Sequence, residues 1–118
     1  MAESAADCLF CGIVRGDVPA TVVRDDERTL AFRDINPAAP THVLVITKEH
    51  FPNAGALADA DPQLLAALHT EAAAVAAAEG IADSGYRLVY NTGRDAQQSV
   101  PHVHLHVLGG RSFTWPPG

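Results

Sequence analysis

The chain is short of positive charge: 8 lysines and arginines stand against 14 aspartates and glutamates, for a formal charge of −6. Nucleic-acid backbones are gripped by clustered Lys and Arg, so this balance argues against a nucleic-acid-binding surface. A small nucleotide needs only a few local donors and stays open. Long apolar runs are missing as well; nothing approaches the roughly 20 apolar residues of a membrane helix, and no membrane partner is expected. Met1 to Asp7 carries acid in place of a basic n-region, with no apolar stretch behind it. No signal peptide is therefore expected, and the expected location is cytoplasmic. Repeats and low-complexity linkers are absent too, so 118 residues read as one domain, 1–118, with 1–6 disordered and 111–118 an extended tail. Cysteine is scarce: only Cys8 and Cys11 occur, spaced C-x-x-C. In a reducing compartment that spacing suggests metal or redox chemistry before a structural disulfide.

What is present begins with a short helix from Cys8 to Arg15, broken by Gly16-Asp17-Val18-Pro19. Segments 21–24 and 29–33 flank a polar Asp25-Asp26-Glu27-Arg28 tip and read as a hairpin. Asn36-Pro37-Ala38-Ala39-Pro40 forbids regular structure, and 42–47 is a β-branched strand. Asp61 can cap a helix with Pro62 in its first turn, running to about Glu79 and stopping at Gly80. Leu64, Leu68, Ala72, Val75 and Ala76 mark its apolar face, and its many alanines suit either a cheap helix or a dimer surface. Strands 86–91 and 102–108 follow, joined by the polar loop 92–99. Five strands with one main helix between the third and fourth predict an α+β domain with a mostly antiparallel sheet.

The last strand carries the chemistry. Gln98 to Arg111 reads Q-S-V-P-H-V-H-L-H-V-L-G-G-R. Alternate side chains of a strand share a face, so His102, His104 and His106 line one side while Val103, Leu105 and Val107 can join a core. Such a row costs core burial and crowds groups that can each become cationic, a cost accepted where something binds or reacts. V-H-L-H-V-L is too apolar for a solvated edge, and no Asp or Glu follows closely to complete an open metal centre. Gln98, Ser99 and Gly109-Gly110 flank the row with hydroxyl, amide and backbone N–H donors fit for an anion. A neutral imidazole is a nucleophile near pH 7, and attack on phosphorus would give a phospho-histidine that water then opens. His42, opening another strand, can hold such an imidazole in one tautomer.

H-V-H-L-H-V matches the alternating motif of the histidine triad (HIT) superfamily, and the chain resembles its Hint branch, the histidine triad nucleotide-binding proteins. Asp34-Ile35-Asn36-Pro37, Ala39-Pro40-Thr41-His42, Gln98-Ser99-Val100 and Gly109-Gly110-Arg111…Trp115-Pro116-Pro117-Gly118 resemble Hint segments in the same order and similar spacing, from about Asp7 onward. The resemblance implies a single HIT domain that hydrolyses the P–N bond of purine nucleoside phosphoramidates. By it His104 is the nucleophile, forming a nucleotidyl-histidine; His106 contacts phosphate, His42 orients the nucleophile, and Ser99 donates to the bridging nitrogen or phosphate. Asn91 and Gln98 become further phosphate-side contacts, and Asp34 the ligand of the ribose hydroxyls. Leu9, Phe10, Ile13, Phe32 and Ile35 match the purine slot. A homodimer is implied, in which the Ala-rich helix and a strand pair with their counterparts and Trp115 reaches the other subunit's site.

Some bacterial relatives in this resemblance pair such cysteines with two histidines, which makes His50 and His102 the candidates to complete a structural zinc site with Cys8 and Cys11. No catalytic cofactor is implied. Reduced buried thiols remain the alternative; a thioredoxin-like redox pair lacks its strand-then-helix setting. Where the family's loop usually carries glycine, this chain has Ala96-Gln97, which puts the preferred amine in doubt. His69 matches no motif and reads as a surface or interface residue. Other readings are a dinucleoside polyphosphate hydrolase or nucleotidyl transferase of the same superfamily, and a non-catalytic nucleotide-binding protein.

Overall fold

Cys8 starts the regular structure by capping helix α1 (Leu9–Arg15), its Sγ accepting the Cys11 N–H at 3.4 Å. Gly16, with φ of 85°, ends the helix in the left-handed region that glycine adopts without penalty. The computed structural model describes residues 5–118, so positions 1–4 of the stretch expected to be disordered lie outside the described residues. Ala5–Asp7 forms a 3₁₀ turn, so positions 5 and 6 of the 1–6 stretch expected to be disordered are regular; the turn leads directly into buried Cys8.

Strands β1 (Val22–Asp25) and β2 (Thr29–Arg33) form the expected hairpin, with a bulge between Val22 and Arg24. Next come β3 (Thr41–Thr47), α2 (Ala54–Ala60), α3 (Pro62–Ala78), β4 (Tyr86–Val89) and β5 (His104–Gly109). The sheet order is β1-β2-β3-β5-β4, with every neighbouring pair antiparallel. The expected α+β architecture is therefore observed. Helix α3 begins as read, with the Asp61 carboxylate accepting the Leu64 N–H at 3.1 Å and Pro62 in the first turn. Helix α2 is an addition: Asn53 caps it by accepting the Ala56 N–H at 2.8 Å. Its seven residues are too few for a periodic apolar pattern to stand out.

Two strand ends differ from expectation. β4 stops at Val89, short of Asn91, and β5 starts at His104, after His102. Ahead of His104 the backbone leaves the ladder: the His102 N–H bonds Val100 O at 2.8 Å and the Val103 N–H bonds Phe51 O at 2.7 Å.

The sheet has a core on each face. Val43 and Val45 of β3, Leu105 and Val107 of β5, and Val103 just before it pack with Leu57 of α2 and Leu64, Leu68, Ala72, Val75 and Ala76 of α3. Leu44 and Ile46 project oppositely, with Leu30 and Phe32 of β2, against Phe10, Cys8 and Cys11. Strand β3 is buried along all seven residues, as a central strand covered on both faces must be. Truncating a side chain such as Leu68 costs about 2–5 kcal/mol. Glu71 is the exception within the apolar stripe of α3; Arg24 of β1 donates to it at 2.7 Å, so its buried carboxylate has a charged partner.

The Gly109-Gly110 pair has a packing role that the sequence did not suggest. A Cβ on Gly109 would lie 2.5 Å from the Ile81 side chain, and Gly110 holds φ of 89° against Pro40. The tail 111–118 has no regular element, and Arg87 of β4 donates to Thr114 O at 3.1 Å.

Candidate active site and metal centre

Register sets the site. Across β3 and β5, Ile46 pairs with His104 and Leu44 with His106, so His42 lies diagonal to His106 on the face that bears both imidazoles. Burial holds all three rings below the ordinary imidazole pKa, His106 down to about 4, so each is neutral near pH 7. Asp34 opposes that shift in all three without overcoming the loss of solvent. A neutral imidazole has one N–H and one lone pair, and the hydrogen-bond partners decide which nitrogen holds which.

His104 Nδ1 lies 2.7 Å from the carbonyl oxygen of His102. A carbonyl only accepts, so Nδ1 carries the proton and Nε2 presents its lone pair. His42 is set the other way. Its Nδ1 accepts the Ala38 N–H at 2.9 Å, so the proton is on Nε2, 2.9 Å from His106 Nδ1 and 3.3 Å from Asp34 Oδ2. His106 accepts at Nδ1 and must carry its own proton on Nε2; Asn91 Nδ2, 3.5 Å from that nitrogen, is also a donor, so only the amide oxygen, turned into its place, can accept there. Two rings 5.0 Å apart thus offer unlike atoms, a lone pair on His104 and an N–H on His106.

The expected contact from His42 to His104 is absent. His42 bonds His106, because the β3–β5 register makes that pair diagonal neighbours, and the His102 carbonyl orients His104. Gln98 has its side chain engaged within the protein: Nε2 donates to Pro52 O at 2.7 Å and Val100 O at 3.0 Å, while Oε1 accepts the Gly93 N–H at 3.0 Å. These bonds engage the amide in holding the loop. Ser99 is exposed and makes no side-chain hydrogen bond among the described residues. Gln97 adopts φ of 60°, so this loop does need a left-handed residue, and here a non-glycine supplies it.

The apolar residues expected around a purine are spread out in exposure. Phe10 and Phe32 are buried edge to face with centroids 5.5 Å apart, and Ile13 packs partly against them. Leu9 and Ile35 are 49% and 91% exposed. Phe10 also sets its ring edge-on to His104, centroids 5.1 Å apart. Asp34 Oδ1 accepts the Asn36 N–H at 2.8 Å in a tight turn, and its other oxygen faces His42. Trp115, 80% exposed, lies beside the Arg87 guanidinium, 5.9 Å from ring centroid to Cζ.

A second cluster adjoins the first. Cys8, Cys11, His50 and His102 each aim one ligand atom at a common point, all four atoms within 4.8 Å of one another. His102 Nδ1 is 3.3 Å from Cys8 Sγ and 3.5 Å from Cys11 Sγ; His50 Nδ1 is 3.4 Å from Cys11 Sγ. Neither cysteine is in a disulfide. His102 Nε2 lies 2.7 Å from Thr47 O, so its proton is there and its Nδ1 lone pair faces the sulfurs. Tetrahedral zinc at its usual bond lengths holds sulfur and nitrogen ligands about 3.5 Å apart. The donor set and its spacing fit that ion. His50 Nε2 is buried without a hydrogen-bond partner, consistent with a ring placed by its other nitrogen.

Asp34, His42 and His106 also converge within 4.8 Å, an approach invisible in the sequence. Here the protonation is wrong for a metal. The Ala38 N–H takes the lone pair of His42 Nδ1, so Nε2 meets its neighbours with a proton. This cluster is a hydrogen-bond relay.

The family model for the HIT domain matches residues 15–113. The chain is 48% identical over 114 residues to an uncharacterized HIT-like protein of Synechocystis, covering 97% of this chain and 99% of that protein. It is 49% identical over 113 residues to a 14 kDa zinc-binding protein of Zea mays, covering 93% and 87% respectively. Among solved structures, a HIT family hydrolase from Legionella pneumophila superposes with a TM-score of 0.91 at 52% identity, over 95% of this chain and all of that one. The chain belongs to the HIT family. No helix among the described residues is long and apolar enough to cross a membrane.

Proposed function

We propose that this protein is a hydrolase acting on purine nucleoside phosphoramidates through a nucleotidyl-histidine on His104. The likeness to a HIT family hydrolase supports hydrolysis in general. The observation that carries the reading is the pairing of a bare His104 Nε2 with a protonated His106 Nε2 on one strand face. Nε2 of His104 forms a bond to phosphorus as the P–N bond breaks, its electron pair leaving with nitrogen, which takes up a proton. Ser99 is the hydroxyl offered to that nitrogen, and His106 donates Nε2–H to a phosphate oxygen as charge builds there. Water then attacks phosphorus, releasing the nucleoside monophosphate and restoring His104. In this reading Asp34 serves the ribose and Asn91 the phosphate side.

Zinc held by Cys8, Cys11, His50 and His102 is structural in this reading, tying the amino-terminal helix to the sheet and making no contact with the reacting atoms. The similar maize protein, named as zinc-binding, supports that assignment. The protein is further proposed to be a cytoplasmic homodimer. Strand β4 ends the sheet with Tyr86 and Leu88 partly exposed, an edge that a second copy would cover.

The test is amine release from an adenosine phosphoramidate, with the protein quenched during turnover and its mass measured. A nucleotidyl adduct on His104 is expected. Faster cleavage of a P–O–P substrate would move the protein to a dinucleoside polyphosphate hydrolase, and nucleotide binding without turnover would make it a binding protein.

A further inference from the structure

The ring of His102 belongs to the metal centre, yet its backbone carbonyl belongs to the nucleophile. That oxygen accepts the His104 Nδ1–H at 2.7 Å and determines which nitrogen of His104 is bare. It does so from outside the sheet, since the β3–β5 ladder begins only at Ile46 and His104. The His102 backbone is held by Val100 O and its ring by Thr47 O and the two sulfurs. Ring and carbonyl share one α-carbon, so a displacement of the ring that carries the backbone with it turns the carbonyl. A second link runs through Phe10, which lies between the two cysteines on α1 and meets the rings of both His102 (5.9 Å) and His104 (5.1 Å) edge-on.

We propose that the Cys8–Cys11–His50–His102 centre is a positioning device for the nucleophile: zinc bound there locks the His102 carbonyl and Phe10, and through them holds His104 in its Nδ1–H tautomer. His102 is thus a positioning residue, acting through its backbone. The proposal rests on the reading of His104 as the nucleophile. It predicts that metal occupancy sets the chemical step through the His104 tautomer, with a smaller effect on substrate affinity through Phe10, which also belongs to the expected purine slot.

The experiment compares the full chain loaded with zinc and stripped by a chelator, metal content being checked by native mass spectrometry. Long-range proton–nitrogen NMR of the imidazoles reads the His104 tautomer directly. The loaded protein should show the Nδ1–H form alone, and the stripped protein a mixture that zinc readdition collapses. Turnover number should fall by about 10- to 100-fold on stripping, as when an orienting shell is lost, a larger change than any rise in KM. His50→Ala weakens zinc binding while keeping every residue that touches His104, so it guards against a stripped wild type that unfolds. In that variant, tautomer mixing should track zinc occupancy during titration. A single Nδ1–H tautomer at zero occupancy in folded protein, or a chain that takes up no zinc, would overturn the proposal. Zinc-dependent tautomers in a wild type without turnover would sink the phosphoramidase reading and leave the coupling standing.

Discussion

Two histidine clusters share one side of the sheet, and their imidazoles turn unlike atoms inward, a lone pair in one and an N–H in the other. At the cysteine pair, His102 donates its Nε2 proton to the Thr47 carbonyl and turns a bare Nδ1 toward sulfur. Beside Asp34, His42 accepts the Ala38 N–H on Nδ1 and turns a protonated Nε2 toward His106. Both groups place three or more ligand-type atoms within 4.8 Å, yet only one suits a metal. The difference lies in one backbone partner, a carbonyl in the first case and an N–H in the second. Residue type and spacing nominate a site; the partner on the far nitrogen decides its chemistry.

The comparison breaks most sharply at His104. His104→Ala should lower phosphoramidate turnover by at least about 1,000-fold while leaving adenosine monophosphate binding measurable by calorimetry. Undiminished hydrolysis would remove the assigned nucleophile. His42→Ala tests the relay. It frees the His106 tautomer while His106 remains, so turnover should drop up to about 100-fold, less than loss of a donor outright can cost. NMR should then find both His106 tautomers.

The metal side answers in stability. Zinc at a hundredfold excess over its dissociation constant should stabilise the fold by about 3 kcal/mol, read from urea unfolding with and without chelator. Cys8→Ala should erase that difference.

Acid acts on both clusters, since burial lowers His102 as well as His106 to about 4. His106 faces His42, His104 and Asp34, and its folded pKa of about 4 lies below the ordinary 6.5. The unfolded chain therefore binds more protons below pH 6.5, and stability is full above that value and lost as pH falls toward about 4. Urea midpoints over that range should decline more steeply for the wild type than for His106→Gln. The smallest effect concerns the loop. Gln97→Gly relieves a left-handed non-glycine residue and should change stability by at most about 1 kcal/mol, with any larger response confined to the choice of amine.

Much of this was legible in advance. Asp61-Pro62 announced helix α3, and the alternation of Val103, Leu105 and Val107 announced a strand packed on one side. The cysteine and histidine cluster was legible as a list, while contacts between side chains were not. His42 was expected at His104 but reaches His106, because a diagonal depends on strand register, a long-range property. Gln98 was read as a phosphate contact although its amide is engaged by Pro52, Val100 and Gly93, two of them close in sequence but none implied by a motif. Nothing local marks Glu71 as a buried residue; its partner Arg24 comes from β1, far away in sequence. The approach of Asp34 to His42 and His106 left no local trace at all.

Alternation along a strand and capping at a helix start act over a few residues, so the amino-acid order alone settled the five strands, helices α1 and α3, the histidine row and the cysteine pair, though not helix α2 or the strand ends. Which proton sits on which imidazole was settled only by tertiary structure. Each ring takes its tautomer from a backbone group that folding brings to it: the His102 carbonyl for His104, the Thr47 carbonyl for His102, the Ala38 N–H for His42. A neutral imidazole has a single proton to place, and the chain must close around it before that placement has a reason.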